Sequence, residues 1–277
     1  MSESNKRNFI VHGSILAIAG ILVRIIGMLY RIPVVNIIGS EGNGIYGAAF
    51  NIYNIMLVLS SYGLPMAVSK LVSARFTKKR YKSAAKVLRC SLMVAVCTGG
   101  IAALLVFFGA SFIENVIYGG GLPGLAIPLR ILAPTIFLVA ILGVIRGFFQ
   151  GQSTMIPTAV SQILEQIVNA IVSIAAGYGM MKAFASSPDV AAYGAAGSTL
   201  GTAMGALTAV LFMGFLYAVY TPTFNRLKRK DRHTENQSTG QICKIIIYTM
   251  IPIILGQTFY QISALIDDVM FSNIMVG

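Results

Sequence analysis

An all-α, polytopic membrane helix bundle is the fold class this sequence predicts, and three observations predict it. Hydrophobic residues make up 56% of the 277 residues and charged ones 11%, more apolar surface than a soluble core of this size would hide. The apolar residues come in blocks of about 20 to 28, the length a helix needs to cross a hydrocarbon core of roughly 30 Å. Charged and turn-forming residues gather in the breaks between blocks, and no series of alternating ten-residue strands marks a barrel.

Seven spans are expected, and each has its own signals. The first, Ile15 to Ile38, follows Lys6 and Arg7 and is apolar except for Arg24 and Arg31. The second, Tyr46 to Ser69, comes after a short link holding Glu41 and is interrupted by Gly63-Leu64-Pro65. The third, Leu88 to Ile113, ends before Gly119-Gly120-Gly121 and Pro123, a loop signal. The fourth, Ala126 to Phe149, and the fifth, Pro157 to Met181, carry Pro128 and Pro157 in their first turns, where a missing N–H costs little. Inside the fourth, Pro134 leaves the Arg130 carbonyl without its usual donor and favours a bend. The sixth, Ala195 to Tyr220, holds Gly197, Gly201 and Gly205, overlapping small-residue steps that suit a packing seam. The seventh runs from Ile245 to Phe271.

The basic residues set an orientation. Eight Lys and Arg lie from Lys70 to Arg89 and six from Arg226 to Lys244, which with Lys6 and Arg7 belong on the cytoplasmic side. The alternate links hold Glu41, Glu114 and Asp189 against one basic residue, Lys182, and Asp267 and Asp268 close the seventh span on that outer side. A multi-pass protein of a bacterial cytoplasmic membrane, N-terminus inside, is therefore expected. The net charge of +12 is read as topological signal and attraction to anionic membrane lipids, with nucleic acid not expected as a partner. Lys6-Arg7 and Ala17-Ile18-Ala19 imitate a signal peptide, but the apolar stretch continues and its removal would spoil the charge alternation. Cys90 and Cys97 are about 10 Å apart along one helix, too far to bridge. With Cys243, His12 and His233 they form no ligand-spaced cluster, so neither metal nor cofactor is expected.

The candidate functional residues are the polar ones within the spans. On the first, Gly13, Ala17, Gly20, Arg24, Gly27 and Arg31 recur at spacings of three and four, so small and charged residues share a stripe. A charge near the centre of a span costs roughly 2.5 to 3.5 kcal/mol on insertion scales, so it persists where it faces a protein interior or a watery cavity. On the fifth, Thr158, Gln162, Glu165, Asn169 and Ser173 form a second polar stripe, with Glu165 the one deep carboxylate. Glu165 either neutralises Arg24 or takes part, with Gln162 and Asn169, in binding a coupling cation or proton. Asn51 and Asn54 on the second span line a cavity or bond across helices; Arg130 is placed near the outer end of the fourth, and Arg146 close to the cytoplasmic interface as a topology or headgroup contact. Several arginines, many amides and one carboxylate suit an anionic, hydroxyl-rich substrate better than a lipophilic cation.

Three segments carry a family resemblance: Val23-Arg24-Ile25-Ile26-Gly27-Met28-Leu29-Tyr30-Arg31-Ile32-Pro33; Gly63-Leu64-Pro65-Met66-Ala67-Val68-Ser69-Lys70-Leu71; and Arg146-Gly147-Phe148-Phe149-Gln150-Gly151 with Pro157-Thr158-Ala159-Val160-Ser161-Gln162-Ile163-Leu164-Glu165-Gln166. They resemble the polysaccharide-biosynthesis flippases, in the branch of stage V sporulation protein B and MurJ, within the multidrug/oligosaccharidyl-lipid/polysaccharide exporter superfamily. The resemblance implies two helical bundles that alternately open a central cavity to each side and carry an undecaprenyl-pyrophosphate-linked saccharide, lipid II among the options, from the inner to the outer leaflet. It also implies that Arg24 and Arg31 line the cavity and contact the pyrophosphate. There are departures: Ile32 stands where MurJ has an aspartate, the second span lacks the family's arginine, and Asn169 occupies a position often basic in relatives.

The expected organisation is a six-helix bundle over residues 1–220, a basic cytoplasmic linker over 221–244, and the first helix of a second bundle over 245–277, the remainder of that bundle being absent from this chain. A flippase, or a part of one, leads the functional readings. A cation-coupled multidrug exporter and a non-transporting membrane partner or scaffold are the alternatives, and an enzyme is not expected.

Overall fold

The sharpest departure from the expected helices lies at the first link. Residues 39–45, read as a loop, are helical, and helix α1 runs Glu3–Ser60 with Gly39 alone off the helical geometry. Gly39 has φ 69° and ψ −175°, a conformation essentially reserved for glycine. One residue there turns the chain sharply. Tyr30 and Tyr46, which a straight helix would hold about 24 Å apart along its axis, line the same pocket.

The computed structural model describes the backbone of residues 3–232 and 237–276, and the side chains of 14–232 and 237–257. The side chains of Lys6, Arg7, His12, Gly13, His233, Asp267 and Asp268 therefore lie outside the described residues. After α1 come α2 (Leu64–Thr77), α3 (Tyr81–Phe112), a π-helical turn (Ile113–Ile117), α4 (Ala126–Gly151), α5 (Ile156–Ala183), α6 (Val190–Lys230) and α7 (Thr239–Val276), with no strand among the described residues. Six stretches among them are long and apolar enough to cross a bilayer, so the expected count of seven separate spans is corrected. The reason is the missing loop: Ser14–Thr77 is one stretch, folded at Gly39 and broken again at Ser61 to Gly63. The second break has a local cause. Pro65 lacks the N–H that would continue the helix, Leu64 N–H turns back to the Ser61 carbonyl at 3.1 Å, and α7 closes on Gly63 through Met250.

Helix α4 is the central post. Its first turns, with Leu129 and Leu132, join Ile45 and Ala49 of α1, Val106 of α3 and Ala192 of α6 in one apolar cluster. Its last turns, with Phe148 and Phe149, join Leu64 and Val68 of α2, Leu88 of α3, Phe224 of α6 and Ile246 of α7 in another. α4 continues through Pro134, and Thr135 Oγ1 donates to the Ile131 carbonyl at 3.4 Å. Leu104, Leu105 and Phe108 of α3 and Leu211, Phe215 and Val219 of α6 are exposed, as faces in contact with lipid are.

Glycines set the closest helix contacts. On α6, Gly197, Gly201 and Gly205 lie against α5: a Cβ at Gly205 would meet the Glu165 carbonyl at 2.6 Å, and one at Gly201 would clash with Ser173. The expected small-residue seam is therefore a backbone-to-backbone contact. Both ends of the bundle are tied by carboxylates at helix starts. Glu114 accepts the amides of Gly124 and Ala126 at the start of α4, at 3.1 and 2.7 Å. Asp231, buried just past α6, accepts the Lys82 amide at the start of α3 at 2.8 Å. Across the same gap Arg75 bonds Ser83 and Gln237, and Lys86 bonds the Gln237 carbonyl. The basic linker is thus docked on the α2–α3 turn, and its first part, to Lys230, is helical.

Candidate functional site

Because α1 folds at Gly39, its two halves face each other across a pocket of about 240 Å³. The first half contributes Gly27, Tyr30 and Arg31, and the second Tyr46, Gly47, Phe50, Asn51 and Asn54. The spacing explains the convergence: 27, 30 and 31 share one helix face, and 47, 51 and 54 share another. Among the described residues no carboxylate lines this pocket. Its polar groups are one guanidinium, two amides and two phenol hydroxyls, a set rich in hydrogen-bond donors.

Helix α5 buttresses the first half of α1. Asn169 Nδ2 donates to the Tyr30 hydroxyl at 3.2 Å, while its Oδ1 accepts Ser173 Oγ at 2.9 Å and Thr202 Oγ1 at 3.4 Å. Gly27 lies so close to Gln166 that a Cβ there would come within 3.2 Å of Nε2. A chain of hydrogen bonds therefore runs from α6 through Asn169 to Tyr30. It holds the wall on which Arg31 stands.

Arg31 and Asn51 meet in the pocket, and Asn169 supports it from behind. Arg24 is exposed on α1, about 10 Å from Arg31 along the axis and outside the lining. Arg130 is exposed too and donates from Nη2 to Ser111 Oγ at 2.9 Å, away from the pocket. Gln162 is half-buried on α5. Glu165 does not reach Arg24; its partner is Arg146, with Nη2 to Oε2 at 2.7 Å. The expectation that Arg146 is an interfacial contact changes with it, since Nε also donates to Ser161 Oγ at 2.9 Å. The register of the α4–α5 hairpin is the cause. Gln150 pairs with Thr158 beside the turn, and the next rung places Arg146 level with Ser161 and Glu165.

Tyr30 and Tyr46 are pocket residues that stand outside the polar stripes of the sequence, because most of a tyrosine ring is apolar. The signal was available: Tyr30 precedes Arg31, and Tyr46 lies four residues before Phe50 on the face that leads to Asn54. Among the described residues no group of His, Cys, Asp and Glu is placed to hold a metal ion.

Comparison with known proteins adds an independent line. A family model described as polysaccharide biosynthesis protein matches residues 10–276. The chain is 34% identical over 176 residues to the lipid II flippase MurJ of Bacillus subtilis (strain 168), covering 61% of this chain and 32% of that protein. It is 30% identical over 210 residues to stage V sporulation protein B of the same organism, covering 75% and 39%. The chain spans at most about half the length of the curated relatives it matches. Among solved structures, a MATE protein in complex with MaD3S superposes with a TM-score of 0.70 at 17% identity, covering 88% of this chain and 52% of that one. A MOP superfamily transporter from Pyrococcus furiosus gives 0.65 at 17%, covering 88% and 52%. These likenesses show a shared fold.

Proposed function

This chain belongs to the polysaccharide biosynthesis protein family, and from that premise we propose that it supplies one wall of a flippase for an undecaprenyl-pyrophosphate-linked saccharide. Arg31 takes a phosphoryl oxygen of the substrate, with Asn51, Asn54 and the two tyrosines as further donors. Arg24, one face-repeat closer to the N-terminus, meets the headgroup as it enters, and Arg130 on the outer side as it leaves. The passage is by alternating access from inner to outer leaflet, with the N-terminus in the cytoplasm of a bacterial cell. Residues 1–220 form the first bundle, 221–244 the linker and 245–277 the start of a second bundle.

The observation that carries this reading is a membrane pocket whose described lining holds a guanidinium and no carboxylate. A fixed cation with several donors replaces the hydration of a diphosphate and repels a lipophilic cation, which disfavours the multidrug exporter. At about 240 Å³ the pocket is smaller than the roughly 300–1,000 Å³ of sites that enclose a drug-sized ligand. It therefore suits the diphosphate rather than the saccharide. Glu165 is given a structural role, because Arg146 already neutralises it.

Retention of undecaprenyl pyrophosphate and of undecaprenol by the purified chain, followed by native mass spectrometry, tests this. The diphosphate is expected to be held more tightly, and Arg31→Gln to weaken it about tenfold, the equivalent of roughly 1.4 kcal/mol for one charge-assisted contact. Equal retention of the two lipids, or an unchanged Arg31→Gln protein, overturns the reading.

A further inference from the structure

On the side of the basic loops, α3, the end of α6 and the start of α7 enclose a second pocket, of about 480 Å³. Lys82, Lys86, Arg89 and Lys228 line it, with no carboxylate among the described lining residues. Asp231 accepts the Lys82 amide at this end, and the described lining holds four cations. Two of them are held in place by neutral groups. Lys86 donates to the Gln237 carbonyl, and the Lys228 ammonium sits 5.2 Å from the centre of the Phe224 ring. The start of α3 adds the positive end of its dipole.

The pocket continues into an apolar strip. Lys82, Lys86, Arg89, Met93 and Val96 recur along α3 at spacings of four and three, so they share one face. That face is cationic over its first two turns and then apolar, with Met93 57% and Val96 47% exposed. From Lys82 to Val96 it spans about 21 Å, close to one leaflet of a bilayer roughly 40–45 Å thick with its headgroups. A cationic end on an exposed apolar track needs a ligand with an anionic head and an apolar tail. A soluble phosphate would use only the upper half.

We propose that this pocket binds the phosphate headgroup of an anionic phospholipid from the leaflet on the basic side, with an acyl chain lying along Met93 and Val96. Such a lipid bridges α3, α6 and α7 beside the docked linker, so it stabilises that junction by mass action. The site is separate from the pocket at Arg31 and does not depend on the flippase reading.

The test uses the full chain in a neutral detergent, with phosphatidylglycerol and phosphatidylcholine retention compared by native mass spectrometry. Phosphatidylglycerol is expected to be held about tenfold more tightly, and the Lys82→Gln/Arg89→Gln protein to lose that preference, since each basic residue near a lipid surface contributes on the order of 1 kcal/mol. Lys70→Gln/Lys78→Gln, which removes exposed charges outside the pocket, and Arg31→Gln are expected to keep it. Met93→Gln leaves every charge in place and is expected to weaken retention through the tail. The proposal is overturned by equal retention of the two lipids, by equal loss in the Lys70/Lys78 variant, by unchanged retention in Met93→Gln, or by displacement of the lipid with soluble glycerol phosphate.

Discussion

Arg146 and Glu165 show how a costly pair of charges is held between helices. Their side chains are 14% and 26% exposed, and the guanidinium also satisfies Ser161. Removing one partner strands the other in a poorly solvated place, whereas removing both leaves no orphan charge. Glu165→Gln is therefore expected to destabilise the protein by roughly 1–3 kcal/mol, and Glu165→Gln/Arg146→Met to recover at least half of that loss. Thermal unfolding of the single and double variants in detergent checks this; a double variant as unstable as the sum of the singles shows that the two side chains do not act as a pair. The sequence marked Glu165 as a deep acid and placed Arg146 at the interface, with Arg24 as the acid's candidate partner. The pairing of Glu165 with Arg146 was not legible there, because it depends on which rungs of the α4–α5 hairpin lie level, a consequence of the turn at residues 152–155.

Helix α6 docks on α5 through glycines, and this contact was legible from the four-residue spacing of Gly197, Gly201 and Gly205. A side chain there meets backbone, which cannot move aside as a flexible side chain does. Gly205→Leu is expected to cost about 1–3 kcal/mol through overpacking, while Gly214→Leu, with nothing within 4 Å of its Cβ position, is expected to be neutral. Comparing the unfolding temperatures of the two proteins separates a seam from general sensitivity to bulk. The fold of α1 was less legible. Gly39 is one of many glycines in the chain, and only its φ of 69° marks it as the residue on which two spans turn. Composition predicted a loop there because Gly39, Ser40, Gly42 and Gly44 disfavour a helix interior and the charged Glu41 breaks the apolar run. Packing overrode the propensity: Gly42 lies against the Ala191 carbonyl of α6, and Ile45 and Tyr46 are buried just beyond it.

The whole molecule separates a basic end from an end whose links are acidic, and that asymmetry predicts its placement in a membrane. In a protein whose Cys90, Cys97 and Cys243 are replaced by Ser, Lys78→Cys and Arg232→Cys are expected to be shielded from an impermeant maleimide in intact cells. Pro123→Cys and Ser186→Cys are expected to be labelled; the reverse pattern inverts the topology. Class, approximate spans and the small-residue seam were determined by the sequence alone. These follow from hydrophobicity, charge and helical period, which are properties of residues and their spacing along one helix. Which polar groups meet was decided only in the tertiary structure. Arg31 comes to face Asn51 and Tyr46 because the chain folds at Gly39, and Glu165 finds Arg146 because a hairpin sets their level. The four cations around the second pocket belong to two helices that approach where Asp231 and Gln237 dock the linker. Helical period gives the direction of a side chain about its own axis, and only the packing of helices supplies what stands opposite.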